Sequence, residues 1–142
     1  MGLGQPIVSK DDYVKVYQIE PTSVSELAKR DKQSLDMDGI RVAINDPNRL
    51  VSRIGFTWGG MGLFVNATFV QDLITAGCEV LIAGETDNFG MRMALEAGVD
   101  TVETSHEVSE NAGLKSFADE LAQLRPDLKV CFYEVERCWK MV

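Results

Sequence analysis

The sequence is poor in the residues that disulfide, zinc and nucleophilic chemistry require. It contains three cysteines without a CxxC pair, and a single histidine, His106. An odd cysteine count without paired spacing predicts reduced thiols, with a cross-link between Cys131 and Cys138 as the alternative. No serine lies in a nucleophile elbow that the one histidine could serve, so neither a serine nor a cysteine hydrolase is indicated.

Long apolar runs and an excess of positive charge are also missing. No stretch approaches the roughly 18 apolar residues that a membrane span needs. The first six residues lack the basic and apolar regions of a secretory signal. The net charge is −8, from 14 basic and 22 acidic residues. Because an acidic domain is repelled by phosphate backbones and anionic lipid surfaces, we expect a cytoplasmic protein that binds neither nucleic acid nor membranes.

The pattern of the remaining residues predicts an α/β fold. Short β-branched runs alternate with stretches of helical period from about Tyr13 onward, which indicates a three-layer-like single domain over 1–142. Its sheet is mostly parallel or mixed, has about six strands and is flanked by helices. We predict strands at 13–19, 40–44, 53–58, 80–83, 99–104 and 129–136. We predict helices at 23–35, from the end of the Gly59–Gly62 loop to about 76, and from about 88 to 97. A long last helix should follow the strand at 99–104 and end at Pro126.

The last predicted helix has the clearest apolar stripe. Its spacing is helical, and Pro126 would end it. The residues predicted to be buried on it are Leu114, Phe117, Ala118, Leu121 and Leu124.

The start of that helix is a candidate metal site. His106 and Glu110 are four residues apart, so on a helix they share a face and could bind one cation. A helix N-terminus disfavours a cationic imidazole, so we expect His106 to be neutral. The alternative is that Thr104 and Glu107 form a capping box and the pair is merely solvated. Two ligands are also fewer than the three or four of a stable site.

Two loops could add to this site. Glu85 and Asp87 follow the predicted strand at 80–83 and would join His106 if the loops are neighbours, although loop acids are usually only solvated. The Gly59–Gly62 loop lies between a strand and a helix, where backbone amides can hold an anion. It matches neither the G-x-G-x-x-G nor the P-loop pattern, so a tight glycine turn is the favoured interpretation over a nucleotide site.

Three segments together resemble the end of NGG-interacting-factor-three-like proteins: Gly84-Glu85 after an apolar strand, Ala94–Gly98 before the next strand, and Ser105–Glu110. That family has the C-terminal signature Gly-His-Tyr-Ala-Thr-Glu, whose histidine and glutamate ligate metal and fall on His106 and Glu110. The resemblance implies a hexameric toroid with two metal ions per subunit. Some members carry the label type-two GTP cyclohydrolase.

The chain departs from the family pattern in three ways. The family's paired histidines and bridging aspartate belong to an N-terminal half without a counterpart here. A histidine that commonly follows the Gly-Glu strand end is replaced by Thr86-Asp87-Asn88. In the signature itself, only the positions of His106 and Glu110 are kept.

The resemblance therefore implies a divalent-metal-binding homo-oligomer with an incomplete site. Zn, Mn or Fe would be bound by His106 and Glu110, with Glu85 and Asp87 as auxiliary ligands and a second polypeptide supplying the rest. Such a site would suit a metal-dependent hydrolase. The alternative is a non-enzymatic oligomeric regulatory or interaction module that has lost the metal site.

Overall fold

A mixed sheet of six strands organises the chain. The structure, a computed structural model, describes residues 3–140. Its strands are β1 (Val8–Ser9), β2 (Lys15–Ser23), β3 (Arg41–Ala43), β4 (Leu50–Thr57), β5 (Val80–Ala83) and β6 (Asp100–Glu103). Its helices are α1 (Val24–Ser34), α2 (Ala67–Thr75), α3 (Asn88–Glu96) and α4 (His106–Leu124), and a short 3-10 turn covers Phe64–Asn66.

The sheet has a parallel centre and antiparallel edges. Its strand order is β1-β2-β4-β5-β6-β3, with β4, β5 and β6 parallel to one another. The β1–β2, β2–β4 and β6–β3 pairs are antiparallel. β5 is buried along its whole length, as expected for an apolar central strand covered on both faces. The predicted α/β class with a mixed sheet of about six strands is confirmed.

Helices cover the two faces of the sheet and form two cores. On one face, Leu73 of α2 and Ala94 of α3 pack with Leu81. On the other, Val24 and Leu27 of α1 pack with Ile54. The predicted layered arrangement is thus confirmed for the first three helices.

Local sequence signals set the helix ends. Ser23 caps α1, accepting the backbone N–H of Glu26 at 3.2 Å. Asp87 caps α3 in the same way, through the N–H of Gly90 at 2.8 Å. Gly77 and Gly98 follow α2 and α3 with φ of +84° and +76°, the left-handed conformation that glycine adopts without strain.

The predicted last strand, Lys129–Glu136, is wrong. Within the described residues, the part of the chain after α4 contains neither helix nor strand. The backbone of this segment is held by a side chain: Asn111 donates to the carbonyl of Val135 at 2.8 Å and accepts its N–H at 3.1 Å. A strand needs a pairing partner as well as β-branched residues, and neither edge strand of the sheet, β1 or β3, pairs with this segment.

The predicted burial of the stripe on the last helix is also wrong. No residue of α4 is buried, and Leu114, Phe117 and Leu124 are 55%, 61% and 70% exposed. Helical spacing identifies an apolar face but not what covers it. The alternative capping box at Thr104 does not form either, since Ser105 precedes α4 and its hydroxyl donates to the Glu107 carboxylate at 3.0 Å.

Two further findings concern the cysteines and the membrane. Cys78 is buried, whereas Cys131 and Cys138 are exposed, and all three are free thiols. In the described part of the chain, no helix combines the length and the apolarity that a membrane crossing requires.

Candidate functional site

The candidate site lies at the carboxyl ends of the three parallel strands. β4 leads into the Gly59–Gly62 loop, β5 leads into Gly84-Glu85, and β6 leads through Ser105 into α4. Since parallel strands end at one edge of the sheet, these three loops meet there. The backbone N–H of Glu85 donates to the carbonyl of Gly59 at 2.7 Å, which fixes two of the loops to each other.

His106 is held between two carboxylates. Its Nδ1 is 2.9 Å from Oε2 of Glu85, and its Nε2 is 3.3 Å from Oε1 of Glu110. All three side chains are between 40% and 48% exposed, so the group is open to solvent. The structure therefore brings together three of the four residues that the sequence indicated.

The carboxylates raise the pKa of His106. The hydrogen bond with Glu85 is the largest cause, and the negative charges of Glu110, Glu85 and Glu107 act in the same direction against partial burial. This shift acts against the expected neutral imidazole, because it favours the cationic form. Two contacting carboxylates outweigh the helix N-terminus.

Asp87 is the predicted residue that the structure does not bring to His106. Its Oδ1 accepts the N–H of Gly90 and its Oδ2 accepts the N–H of Phe64 at 3.1 Å. These backbone hydrogen bonds, the one from Gly90 foremost, lower the pKa of Asp87. Its carboxylate caps α3 and ties that helix to the Phe64 turn.

Glu103 is a residue of the site that the sequence reading missed. It ends β6 and is 6% exposed, with Oε1 3.0 Å from Nη1 of Arg41 and Oε2 accepting the N–H of Thr86 at 3.0 Å. Burial raises the pKa of Glu103, and the Arg41 guanidinium opposes that shift. By binding the amide of Thr86, it fixes the loop that carries Glu85. The sequence feature that could have revealed Glu103 is a carboxylate at the end of a fully buried strand.

Glycine is required at two positions of this edge, because neighbouring atoms lie too close to leave room for a Cβ. Gly59 has φ of +50°, and a Cβ there would lie 2.5 Å from Oε1 of Glu110. A Cβ on Gly84 would lie 2.6 Å from the backbone of Gly59. The loop is a tight turn packed against the His106–Glu110 pair, which agrees with the favoured interpretation over a nucleotide site.

A cavity of about 710 Å³ opens beside this pair. Its polar wall includes Arg41, Glu103 and Glu107, and its apolar wall includes Leu114 and Trp139. The carboxylates outnumber the cationic groups, so the cavity favours a cation over an anion.

The His106–Glu110 pair has the geometry of two neighbouring metal ligands. Ligands bound about 2.1 Å from one ion lie roughly 3.0–3.5 Å apart, and Nε2 and Oε1 are separated by 3.3 Å. The carboxylate of Glu85 contacts Nδ1, the ring nitrogen through which a carboxylate commonly orients a metal-bound imidazole. Among residues 3–140, however, no group of three or more His, Cys, Asp or Glu is arranged to hold an ion. The chain provides a pair of ligands, not a complete set.

The fold and this site define an α/β domain with a histidine–glutamate pair at the carboxyl edge of a mixed sheet. The profile of the family described as Duf34/NIF3 (NGG1p interacting factor 3) matches residues 5–138. The chain belongs to that family.

Solved structures share the fold. A Bacillus cereus protein related to NIF3 superposes with a TM-score of 0.75 at 19% identity, over 90% of this chain and 35% of that one. The protein ybgI gives 0.76 at 20% identity, over 95% and 51%. Reduced HcgD from Methanocaldococcus jannaschii gives 0.68 at 19% identity, over 85% and 47%. The chain thus spans between about a third and a half of these structures. The comparison with curated proteins finds no match.

Proposed function

We propose that the chain binds a divalent metal ion through Nε2 of His106 and the carboxylate of Glu110. The 3.3 Å separation of these two atoms carries the proposal. Support also comes from their position one helical turn apart at the carboxyl edge of a parallel sheet, where α/β proteins place their ligand sites.

Glu85 prepares the imidazole for this role. An ionised carboxylate can only accept hydrogen bonds, so its contact with Nδ1 assigns the ring proton to that nitrogen in the neutral tautomer. The lone pair of Nε2 then points toward Glu110. Glu103 acts indirectly: its carboxylate accepts the backbone N–H of Thr86 and so holds the loop that carries Glu85.

The donor set suits Zn, Mn or Fe, because one imidazole nitrogen and carboxylate oxygens are acceptable to all three. When bound, such an ion would lower the pKa of a coordinated water and polarise a substrate oxygen, the chemistry of a metal-dependent hydrolase. The residues of the chain would orient the imidazole, neutralise the ion and admit substrate through the cavity beside Trp139.

A second candidate is a non-enzymatic oligomeric regulatory or interaction module. It is favoured by the exposed apolar face of α4 and by a ligand pair that other protein groups must complete. Both candidate functions require an oligomer, formed either by copies of the chain or with a second polypeptide. Only the first candidate function requires that this oligomer binds a metal ion.

Metal content tests the proposal. Wild-type protein, purified without tags or chelators, is compared by elemental mass spectrometry with a His106→Ala/Glu110→Ala variant. A Glu20→Ala/Glu96→Ala variant serves as the control, since both of its side chains are exposed and distant in sequence from the site. The proposal requires a bound ion in wild type and control that is lost in the site variant. Wild type without any divalent ion would favour the second candidate.

A further inference from the structure

A second cavity lies between β2 and α1 and is called here the β2–α1 cavity. Its volume is about 860 Å³, and Leu3 and Gly4 contribute to its wall together with residues of β2 and α1. None of its lining residues belongs to the cavity at His106. Sites for small molecules usually have volumes of about 300–1,000 Å³, so the β2–α1 cavity is large enough for a small organic ligand.

The β2–α1 cavity is lined by a buried acid that lacks a partner. Asp31, near the end of α1, is 3% exposed, and its Oδ2 has no hydrogen-bond partner. Arg30 also lines the cavity, but its guanidinium pairs with Glu26 at 3.5 Å. Buried carboxylate oxygens in proteins are nearly always hydrogen-bonded. Asp31 therefore has unused capacity to bind a donor group.

The carboxylate of Asp31 is costly for the folded protein. Burial raises its pKa to about 6, so at pH 7.5 the group is mostly ionised in surroundings that disfavour its charge. Asparagine has nearly the same shape and would avoid this cost. Because proteins depart from such packing rules chiefly at functional positions, an acid at residue 31 indicates a ligand that its charge attracts.

The charges around the β2–α1 cavity select a cation. Against the larger effect of burial, the positive α-amino group of the chain lowers the pKa of Asp31, but it does not compensate for the buried charge. A cation at hydrogen-bonding distance would stabilise the carboxylate further. The lining adds a second acid, the exposed Glu20, and its single basic residue is the paired Arg30.

The composition of the wall favours an organic ammonium over a metal ion. A divalent ion such as Ca²⁺ or Mg²⁺ takes about six or more oxygen ligands, whereas this cavity has one buried carboxylate. A primary ammonium has three N–H donors. Asp31 can accept one of them, and the side-chain oxygens of Gln18 and Gln33 are further acceptors in the lining. Ile19 and Leu27 provide apolar surface for the rest of the molecule.

We propose that the β2–α1 cavity binds a small organic molecule whose primary ammonium group pairs with the carboxylate of Asp31 and whose apolar body packs against Ile19 and Leu27. This site is separate from the His106–Glu110 pair and does not depend on the metal proposed there.

Three probes of similar shape and different charge test the proposal. 2-Phenylethylamine, 2-phenylethanol and 3-phenylpropionate are titrated at pH 7.5 into metal-free protein, and binding is followed by NMR of the backbone amides. The amine should bind saturably, the alcohol about tenfold or more weakly, and the anion not measurably, because only the ammonium makes a charged hydrogen bond with Asp31. Absence of amine binding, or equal binding of amine and alcohol, overturns the proposal.

Asp31→Asn tests the contact with the ammonium. The variant should be more stable than wild type at pH 7.5 without ligand, so a loss of binding cannot be ascribed to unfolding. Glu20→Gln is the matched control, since it removes an exposed carboxylate from the same cavity. Amine affinity should fall about tenfold or more in Asp31→Asn and less than about threefold in Glu20→Gln. Equal losses would indicate attraction by general negative charge and overturn a site at Asp31.

The acidic cavity at His106 is the competing place for a cation. Binding in the β2–α1 cavity should shift the amide signals of residues 18–21 and 27–34. It should also have the same affinity in wild type and in His106→Ala/Glu110→Ala. Shifts confined to residues around His106, or amine binding that is lost in this double variant, would place the amine at the other cavity and overturn the proposal. The metal proposal is tested separately and stands or falls without this result.

Discussion

Oε2 of Glu85 lies 2.9 Å from Nδ1 of His106, and this contact determines which ring nitrogen is available to a cation. The contact joins the loop after β5 to the first residue of α4. It is also the largest cause of the raised pKa of His106. The electrostatics of the imidazole and its proposed ligand role therefore depend on the same carboxylate.

Glu85→Gln should lower both the pKa of His106 and its metal affinity. The substitution keeps the side-chain shape but removes the charge that stabilises the imidazolium. Losing a carboxylate that orients a ligand typically costs about 10–100-fold in metal affinity. The pKa is measured by NMR titration of the single histidine ring, with Glu96→Gln as the control. An unchanged titration would show that the contact does not form in solution.

Stability should decrease as the pH rises through the pKa of His106. The folded-state pKa is raised above the ordinary 6.5, so the folded protein binds the proton more tightly than the unfolded chain does. This contribution is complete below pH 6.5 and is lost above it, as the pH passes the raised pKa. Denaturant unfolding of metal-free wild type and His106→Gln between pH 5.5 and 8.5 tests it. Identical pH dependence of the two proteins would show that the raised pKa of His106 does not contribute to stability.

Asp31→Asn should stabilise the protein at neutral pH. Asp31 is 3% exposed, its Oδ2 has no hydrogen-bond partner, and burial raises its pKa to about 6. A carboxyl with a raised pKa favours the folded state when protonated, and this benefit is lost as the pH rises from about 4 to 6. We expect a gain of about 1–3 kcal/mol in the free energy of unfolding at pH 7.5. The gain should vanish near pH 3.5, and a pH-independent difference would exclude this explanation.

Gly59→Ala should impair metal binding more than it impairs folding. Both Gly59 and Gly98 have positive φ, so alanine costs about 1 kcal/mol at either position. A Cβ at Gly59 would lie 2.5 Å from Oε1 of Glu110, whereas one at Gly98 meets nothing within 4 Å. Zinc titrations should therefore show weakened binding in Gly59→Ala and unchanged binding in Gly98→Ala. Equal affinities in the two variants would place the ion away from Glu110.

The fold was predictable from sequence where a short local pattern indicates a strand that is buried on both faces of the sheet. The apolar run Val80–Ala83 acts over a few residues, and the structure has a buried strand where the sequence indicates it. β1 was not predicted, because a strand of two residues is too short to show a period.

The failures occurred where the outcome depends on distant partners. The strand expected at 129–136 required a pairing partner at one edge of the sheet, and the stripe on α4 required a covering surface. Neither property can be read from local spacing. In the site, the spacing of His106 and Glu110 was informative because a helix determines it. The pairing of Glu85 with Nδ1 and the burial of Glu103 depended on how three loops meet.

The most direct test of the metal proposal is isothermal titration calorimetry with chelator-treated protein. Zn²⁺ and Mn²⁺ are titrated into wild type and into His106→Ala/Glu110→Ala. Metal binding through these two ligands predicts a saturable heat in wild type that disappears in the variant. A variant that binds as wild type does, or a wild type that binds neither ion, would contradict it.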